Sequence, residues 1–295
     1  GTNGIINLSV PVPIGTSLNS NLGTRFRLST DTDASMSPTG PAPDGEVEDY
    51  LIQVMAFDYG DLADNNAAGS YPTDATNGAG EGVGASHKII AGLKIGAIVD
   101  PEAAGQPSGL ANGDDAATSD DEDGVTLPMF LANQSYTVPV VVMNMTGVQA
   151  KLTGFFDWNA NGSLSDAGEM VSINVPTGTN GTVNLSVSVP IDAVLNTPLG
   201  ARFRLSTDAT ASMNPSGPAP DGEVEDYQVT AVMAFDYGDL PDGNVPGDYP
   251  TDGNNSNGEG VGPSHKIVAG LKLGNIVDID NFGVPSSNAT ADDAP

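Results

Sequence analysis

One stretch of this chain is written twice. GPAPDGEVEDY occupies 40–50 and returns unchanged at 217–227, an offset of 177. FRLSTD at 26–31 recurs at 203–208 with the same offset, while AFDYGDL (56–62, 234–240) and SHKI-AGLK-G (86–96, 264–274) recur at 178. Eight of the nine basic residues fall at matched positions, Lys151 being the exception. A period this long is no solenoid repeat; it fits a domain plus a smaller module in tandem. GTNG stands at 1–4 and again at 178–181, so 124–177 has no N-terminal counterpart. This register reads as a window on a longer repetitive polymer, cut in mid-repeat.

Composition narrows the class. A net charge of -29 leaves no basic patch for nucleic acid or an anionic membrane surface. No apolar run approaches the length of a spanning helix. Glycine and proline make up one residue in five, which disfavours long helices. Cysteine is absent, so disulfides and thiolate metal sites are impossible. Aromatic residues are only 5%, which points to small aliphatic cores.

Short β-branched runs bounded by Gly, Pro, Asn and Asp predict strands over 5–12, 24–29, 46–55, 136–145, 151–158, 170–175, 182–189, 202–205 and 223–233. In VNLSVSV at 183–189 the alternation puts Val183, Leu185, Val187 and Val189 on one face. The expected fold class is all-β: tandem antiparallel β-sandwich domains, immunoglobulin-like or jelly-roll-like, separated by loop-rich acidic modules. The expected divisions are a rear half-sandwich at 1–55, a module at 56–123, a complete sandwich at 124–233 and a second, incomplete module at 234–295. The repeated apolar positions of HKIIAGLKIGAIVD at 87–100 favour an ordered module over a flexible spacer.

Two places suggest a cation. DWNANGSLSDAGE at 157–169 sets Asp157, Asn159 and Asn161 before Gly162, the opening of an oxygen-ligand calcium loop. Glu169 falls one position later than an EF-hand requires, and Asp166 and Glu169 would close the loop. The competing reading is an Asx-rich hairpin that hydrogen-bonds its own backbone. The second place is NGDDAATSDDEDGV, holding Asp114, Asp115, Asp120, Asp121, Glu122 and Asp123. These acids repel one another unless a cation or solvent neutralises them, and Asp58 and Asp61 of FDYGD stand at the start of the same module. Asp120, Asp121 and Asp123 are the expected ligands, with Ca2+ as the ion; a solvated acidic stretch is the alternative.

In GEVEDY, Glu46, Glu48 and Tyr50 share a strand face; in RFRLS, Arg25 and Arg27 share one, with Phe26 and Leu28 opposite. Cross-strand pairing of Arg202 and Arg204 with Glu223 and Glu225 is expected to keep the acids ionised, which argues against a glycosidase carboxylate pair. His87 and His265 occupy one matched position, and a single histidine per repeat suits packing or capping better than zinc.

GEVEDY at 45–50 and 222–227, with the LGTRFRLS and LGARFRLS strands and the DWNANGSLSDAGE loop, resembles the GEVED domain of secreted and surface-anchored bacterial proteins. FDYGDL through DDEDGV is similar to the module often found between such domains, with Leu62 and Ala63 standing for the usual Ala and Pro. The second module reads as lacking a GQPS counterpart. The resemblance implies an extracellular, non-catalytic β-sandwich array of the kind found in long adhesin-like or fibre-forming proteins.

The expected role is thus a structural repeat subunit of a bacterial extracellular filament or surface stalk, calcium-stabilised and assembled head-to-tail with copies of itself. An adhesin module binding carbohydrate or another cell-surface ligand is the alternative. No enzyme, nucleic-acid partner or membrane insertion is expected. The half-sandwich at 1–55 should expose Ile5, Leu8, Val10, Phe26 and Leu28 until strands like 136–145 and 151–158, from outside the chain, cover them.

Overall fold

The computed structural model describes residues 4–13, 16–64, 70–76, 82–113, 121–243, 245, 248–254 and 260–291. The fold is all-β, with 34% strand and 3% helix. It divides into two compact units, Gly1–Ala56 and Phe57–Pro295. Among the described residues, no helix is long and apolar enough to cross a membrane.

The first unit holds one antiparallel pair, β1 (Asn21–Leu28) and β2 (Glu46–Gln53). Between them lies the short α1 (Thr32–Met36), capped by Asp31, whose carboxylate accepts the Asp33 and Ala34 N–H groups. Residues 4–13 form no strand. The strand expected over 5–12 fails because no described residue pairs with it, and Ile5 (94% exposed), Leu8 and Val10 face solvent. Leu28 on β1 is 72% exposed.

The second unit contains a module, a sandwich and part of a second module. The module supplies β3 (Phe57–Tyr59), β4 (Ser86–Lys88) and β5 (Leu93–Ile95). The sandwich runs through β6 (Phe130–Leu131), β7 (Ser135–Asn144), β8 (Ala150–Phe156), β9 (Met170–Val175), β10 (Thr179–Ser188), β11 (Leu199–Ser206), α2 (Ala209–Ser212), β12 (Pro218–Ala219), β13 (Glu223–Val229) and β14 (Val232–Met233). One sheet is ordered β13-β11-β8-β9, the other β10-β7-β5. Here the counterpart of 5–12 is a true strand, because β7 pairs with β10 along its whole length.

The core lies between the sheets. Alternation points Val138, Val140 and Val142 of β7 and Leu185 and Val187 of β10 inward, against Leu152, Phe156, Phe203 and Leu205. Few as they are, the aromatic residues concentrate here, which corrects the expectation of aliphatic cores. Phe156 stacks on Trp158 at 4.9 Å, and Phe130 and Phe203 meet Phe156 edge-on.

Module and sandwich exchange strands. Residues of β5 pair antiparallel with β7 (Ile95 opposite Val142), extending a sandwich sheet. In return β12 pairs parallel with β4, extending the module sheet. This mutual pairing covers edges that would otherwise be open. It also leaves β11 buried at every residue, core on one side and module on the other.

The second module repeats the first in β15 (Phe235–Tyr237) and β16 (Ser264–Lys266), with Asp236 opposite His265 as Asp58 is opposite His87. The Ser286 N–H reaches the Asp239 carbonyl at 3.0 Å as the Ser108 N–H reaches that of Asp61 at 2.9 Å. GVPS at 283–286 therefore takes the place of the missing GQPS.

Candidate functional site

The second GEVEDY string is a docking strip for the module. Strand alternation and register decide which side chain does what. Antiparallel pairing sets Arg202 opposite Asp226 and Arg204 opposite Val224, so the arginines share a face with the motif's aspartate. This corrects the expected pairing of Arg202 and Arg204 with Glu223 and Glu225. Arg202 donates through Nε and Nη2 to the two Asp226 oxygens, both at 2.7 Å, and neither side chain is exposed. Asp226 Oδ2 also accepts the Asp61 and Leu62 N–H groups at 2.8 and 2.9 Å. Arg202 Nη1 donates to the Pro72 carbonyl at 2.6 Å. A buried ion pair is tolerable when its remaining hydrogen-bonding capacity is filled, and here module backbone fills it.

Gly60 of the DYGD string follows from this contact. A Cβ there would lie 2.3 Å from Asp226 Oδ2 and 2.8 Å from Arg202 Nη2. The chain must pass directly over the ion pair, and only glycine lets it.

Arg204 reaches the other module strand. Its Nε donates to His87 Nε2 at 2.8 Å, and its Nη atoms serve the Asn214, Ser216 and Gly217 carbonyls. His87 Nδ1 lies 2.8 Å from the Asp221 carbonyl, so it must be the protonated nitrogen, leaving Nε2 to accept. Burial, then the Arg204 charge, hold the imidazole well below its ordinary pKa, and it is neutral. Arg204 in turn is lowered to about 9, chiefly by burial.

Glu223 and Glu225 point the other way, to the junction. Glu223 Oε2 accepts the Ile95 N–H, fixing β5; Glu225 Oε1 accepts the Gly124 N–H at 3.0 Å. With no arginine beside them, burial pushes Glu225 up to about 8 and Glu223 well above its ordinary value. Contrary to the expectation from pairing, these acids are not held ionised.

The Asp157 loop is closed by its own hydrogen bonds. Asp157 is buried; its Oδ1 accepts the Asn161 N–H at 3.1 Å, and its Oδ2 accepts the Gly162 N–H at 2.9 Å and the Tyr71 hydroxyl at 2.8 Å. Asn159 and Asn161 donate their side-chain amides to Asp166 at 2.9 and 2.7 Å, while both their Oδ1 atoms take backbone N–H groups. Glu169 Oε2 accepts the Asp166 N–H at 3.1 Å, and its buried Oε1 has no donor. Burial is the main cause raising Glu169 to about 7. The five residues expected as ligands are thus one hairpin, and Tyr71 latches the module to it.

Of the other expected ligands, Asp120 lies outside the described residues, as do Asp114 and Asp115. Asp123 Oδ1 accepts the Ala97 N–H at 2.7 Å. Asp121 is buried and meets Asp58 and Glu102: one carboxylate oxygen of each lies within 4.8 Å of the others. Glu102 was not foreseen as a site residue. Its signal was the VDPEA string, whose acid recurs as Asp280 at offset 178.

The first copy repeats the strip with its ion pair open to solvent. Arg25 pairs with Asp49 through the same two 2.7 Å bonds, but the side chains are 47% and 58% exposed. The GEVED domain family matches residues 1–53 and 151–230. Both segments belong to the GEVED domain family. The second GEVED segment spans β9–β13 and nearly all of β8, leaving β7 and the module outside the match. No curated protein and no solved structure matches the chain.

Proposed function

We propose that the chain is a structural repeat segment of a bacterial extracellular filament or surface stalk, in which each GEVED sheet is covered by a DYGD-type module. The carrying observation is the ion pair of the motif, sealed by module backbone in one copy and open in the other. GEVEDY contributes Glu223, Glu225 and Asp226 to backbone N–H groups of the module and its junction, a mechanical role with no nucleophile or base presented to a substrate.

The open first copy supports assembly. In the complete sandwich, β8 lies beside β11 and β7 beside β10. The matching edge of β1 and segment 5–12 therefore fit a half-domain of the 124–177 kind. The chain holds two sheets that need such a half and one half to give, already spent on 178–233. The complement we propose is a half-domain of that kind from a neighbouring copy or from another stretch of the polypeptide, joined head-to-tail. Calcium at the Asp157 loop fits the same role, since Glu169 Oε1 is buried without a donor.

Negative-stain microscopy of the native material tests this: linear fibres are expected. Monodisperse particles together with a specific glycan-array hit would favour the adhesin reading instead.

A further inference from the structure

Docking leaves one group of acids unexplained. Asp58 on β3, Glu102 after β5 and Asp121 before β6 come from the start, middle and end of the module and converge within 4.8 Å. Each has one oxygen on a backbone N–H: Asp58 Oδ2 on Val224 at 2.6 Å, Glu102 Oε2 on Tyr59 at 2.9 Å, Asp121 Oδ2 on Asp100 at 3.3 Å. Asp58 has no exposed surface, yet its Oδ1 meets no donor; the same holds for Oε1 of fully buried Glu223, adjacent to Val224. Leaving a buried carboxylate oxygen without a donor is costly, and neighbouring acids raise the cost.

Among the described residues, no cationic side chain donates to Asp58 Oδ1 or Glu223 Oε1. The Arg204 charge acts on Asp58 and the Lys94 charge on Glu223, but Arg204 donates to His87 and three carbonyls, and Lys94 Nζ to the Ala97 carbonyl. Both nitrogens of His87, opposite Asp58, are taken.

We infer that Asp58, Glu102 and Asp121 bind one calcium ion, which ties the two ends and the middle of the module together against the sandwich. The ligand set is all oxygen and all acidic, which selects a hard divalent cation over zinc or copper. Calcium–oxygen bonds of about 2.3–2.6 Å place any two ligand oxygens of one ion no more than about 4.6–5.2 Å apart, and three oxygens within 4.8 Å of one another meet that limit. Magnesium demands near-octahedral geometry at about 2.0–2.1 Å and gives up its water reluctantly, so it is less often held by a set of protein carboxylates alone. The second module keeps two of the three acids: Asp236 and Asp280 stand at offset 178 from Asp58 and Glu102, and Asp280 accepts the Tyr237 N–H as Glu102 accepts that of Tyr59. This site is separate from the Asp157 loop and does not depend on filament assembly.

The test uses the full chain, stripped with a chelator and titrated with calcium chloride while melting is followed by calorimetry. Calcium should raise the melting temperature of the parent. Glu102→Gln and Asp121→Asn should each weaken calcium binding about tenfold or more. In chelator the same variants should melt above the parent, because a repelling charge is gone. A crystal grown in calcium, measured for anomalous scattering, should show a peak among the three carboxylates, a readout that stands even if the variants misfold. A parent melt unmoved by calcium, a gain kept in full by both variants, or a peak only at the Asp157 loop would overturn the site.

Discussion

Arg202 and Asp226 form a fully buried, two-pronged ion pair whose remaining hydrogen bonds go largely to module backbone. Its counterpart, Arg25 with Asp49, has the same bonds and register but stands half in water. One sequence motif thus exists in a docked and an undocked form within one chain. Removing one partner of the buried pair leaves an uncompensated charge, so Asp226→Asn should cost about 3–5 kcal/mol in denaturant unfolding. Asp49→Asn should leave the midpoint unchanged within error.

Gly60 and Gly238 hold matched places in the two DYGD strings, but only Gly60 runs against an ion pair; nothing lies within 4 Å of a Cβ at Gly238. Gly60→Ala should destabilise by about 1–3 kcal/mol through overpacking, and the module should become a protease target. Gly238→Ala should be tolerated. Equal behaviour of the two variants in limited proteolysis would refute the docking geometry.

Tyr71 bridges the module to the sandwich, donating to Asp157 and accepting the Gly200 N–H at 2.9 Å. Tyr71→Phe strands a buried N–H and removes a donor from Asp157, which should cost about 1–3 kcal/mol. Hydrogen exchange at Gly200 should quicken more than at Leu185, which the bridge does not touch.

The motif was legible in the sequence; its partners were not. The repeat, the strand over FRLS and the all-β class follow from spacing and alternation in the residues themselves. Which acid faces Arg202 depends on pairing register, and shifting the partner by one residue swaps Asp226 for Glu225. Segment 5–12 reads as a strand for the same reasons as 182–189 does, yet a strand exists only with a neighbour, and β7 has no equivalent in the first unit. The convergence of Asp58, Glu102 and Asp121 joins residues far apart in sequence, so only the folded module brings it out.

Stability should fall as pH rises in calcium-free buffer. Glu225 is raised to about 8 in the folded chain, so between its ordinary value near 4.3 and about 8 the folded state binds more protons than the unfolded. Its contribution is full below that window and lost as pH climbs through it. His87 works in the opposite sense, being depressed: its contribution is present above about 6.5 and lost as pH falls further. Melting scans from pH 5 to 9 should decline in the parent and less steeply in Glu225→Gln. A parent curve that rises across pH 7 to 9, where His87 no longer titrates, would contradict the assignment.

The central claim is that a GEVED sheet works as a receptor for a module and a complementary half-domain. A cryo-electron microscopy map of the native assembly tests it most directly, at the first copy. The account predicts a strand of the β8 kind beside β1, a strand beside segment 5–12, and FDYGDL-type backbone over Asp49, burying its pair with Arg25. A map in which Arg25, Asp49 and Leu28 still face solvent within the assembled fibre would contradict it.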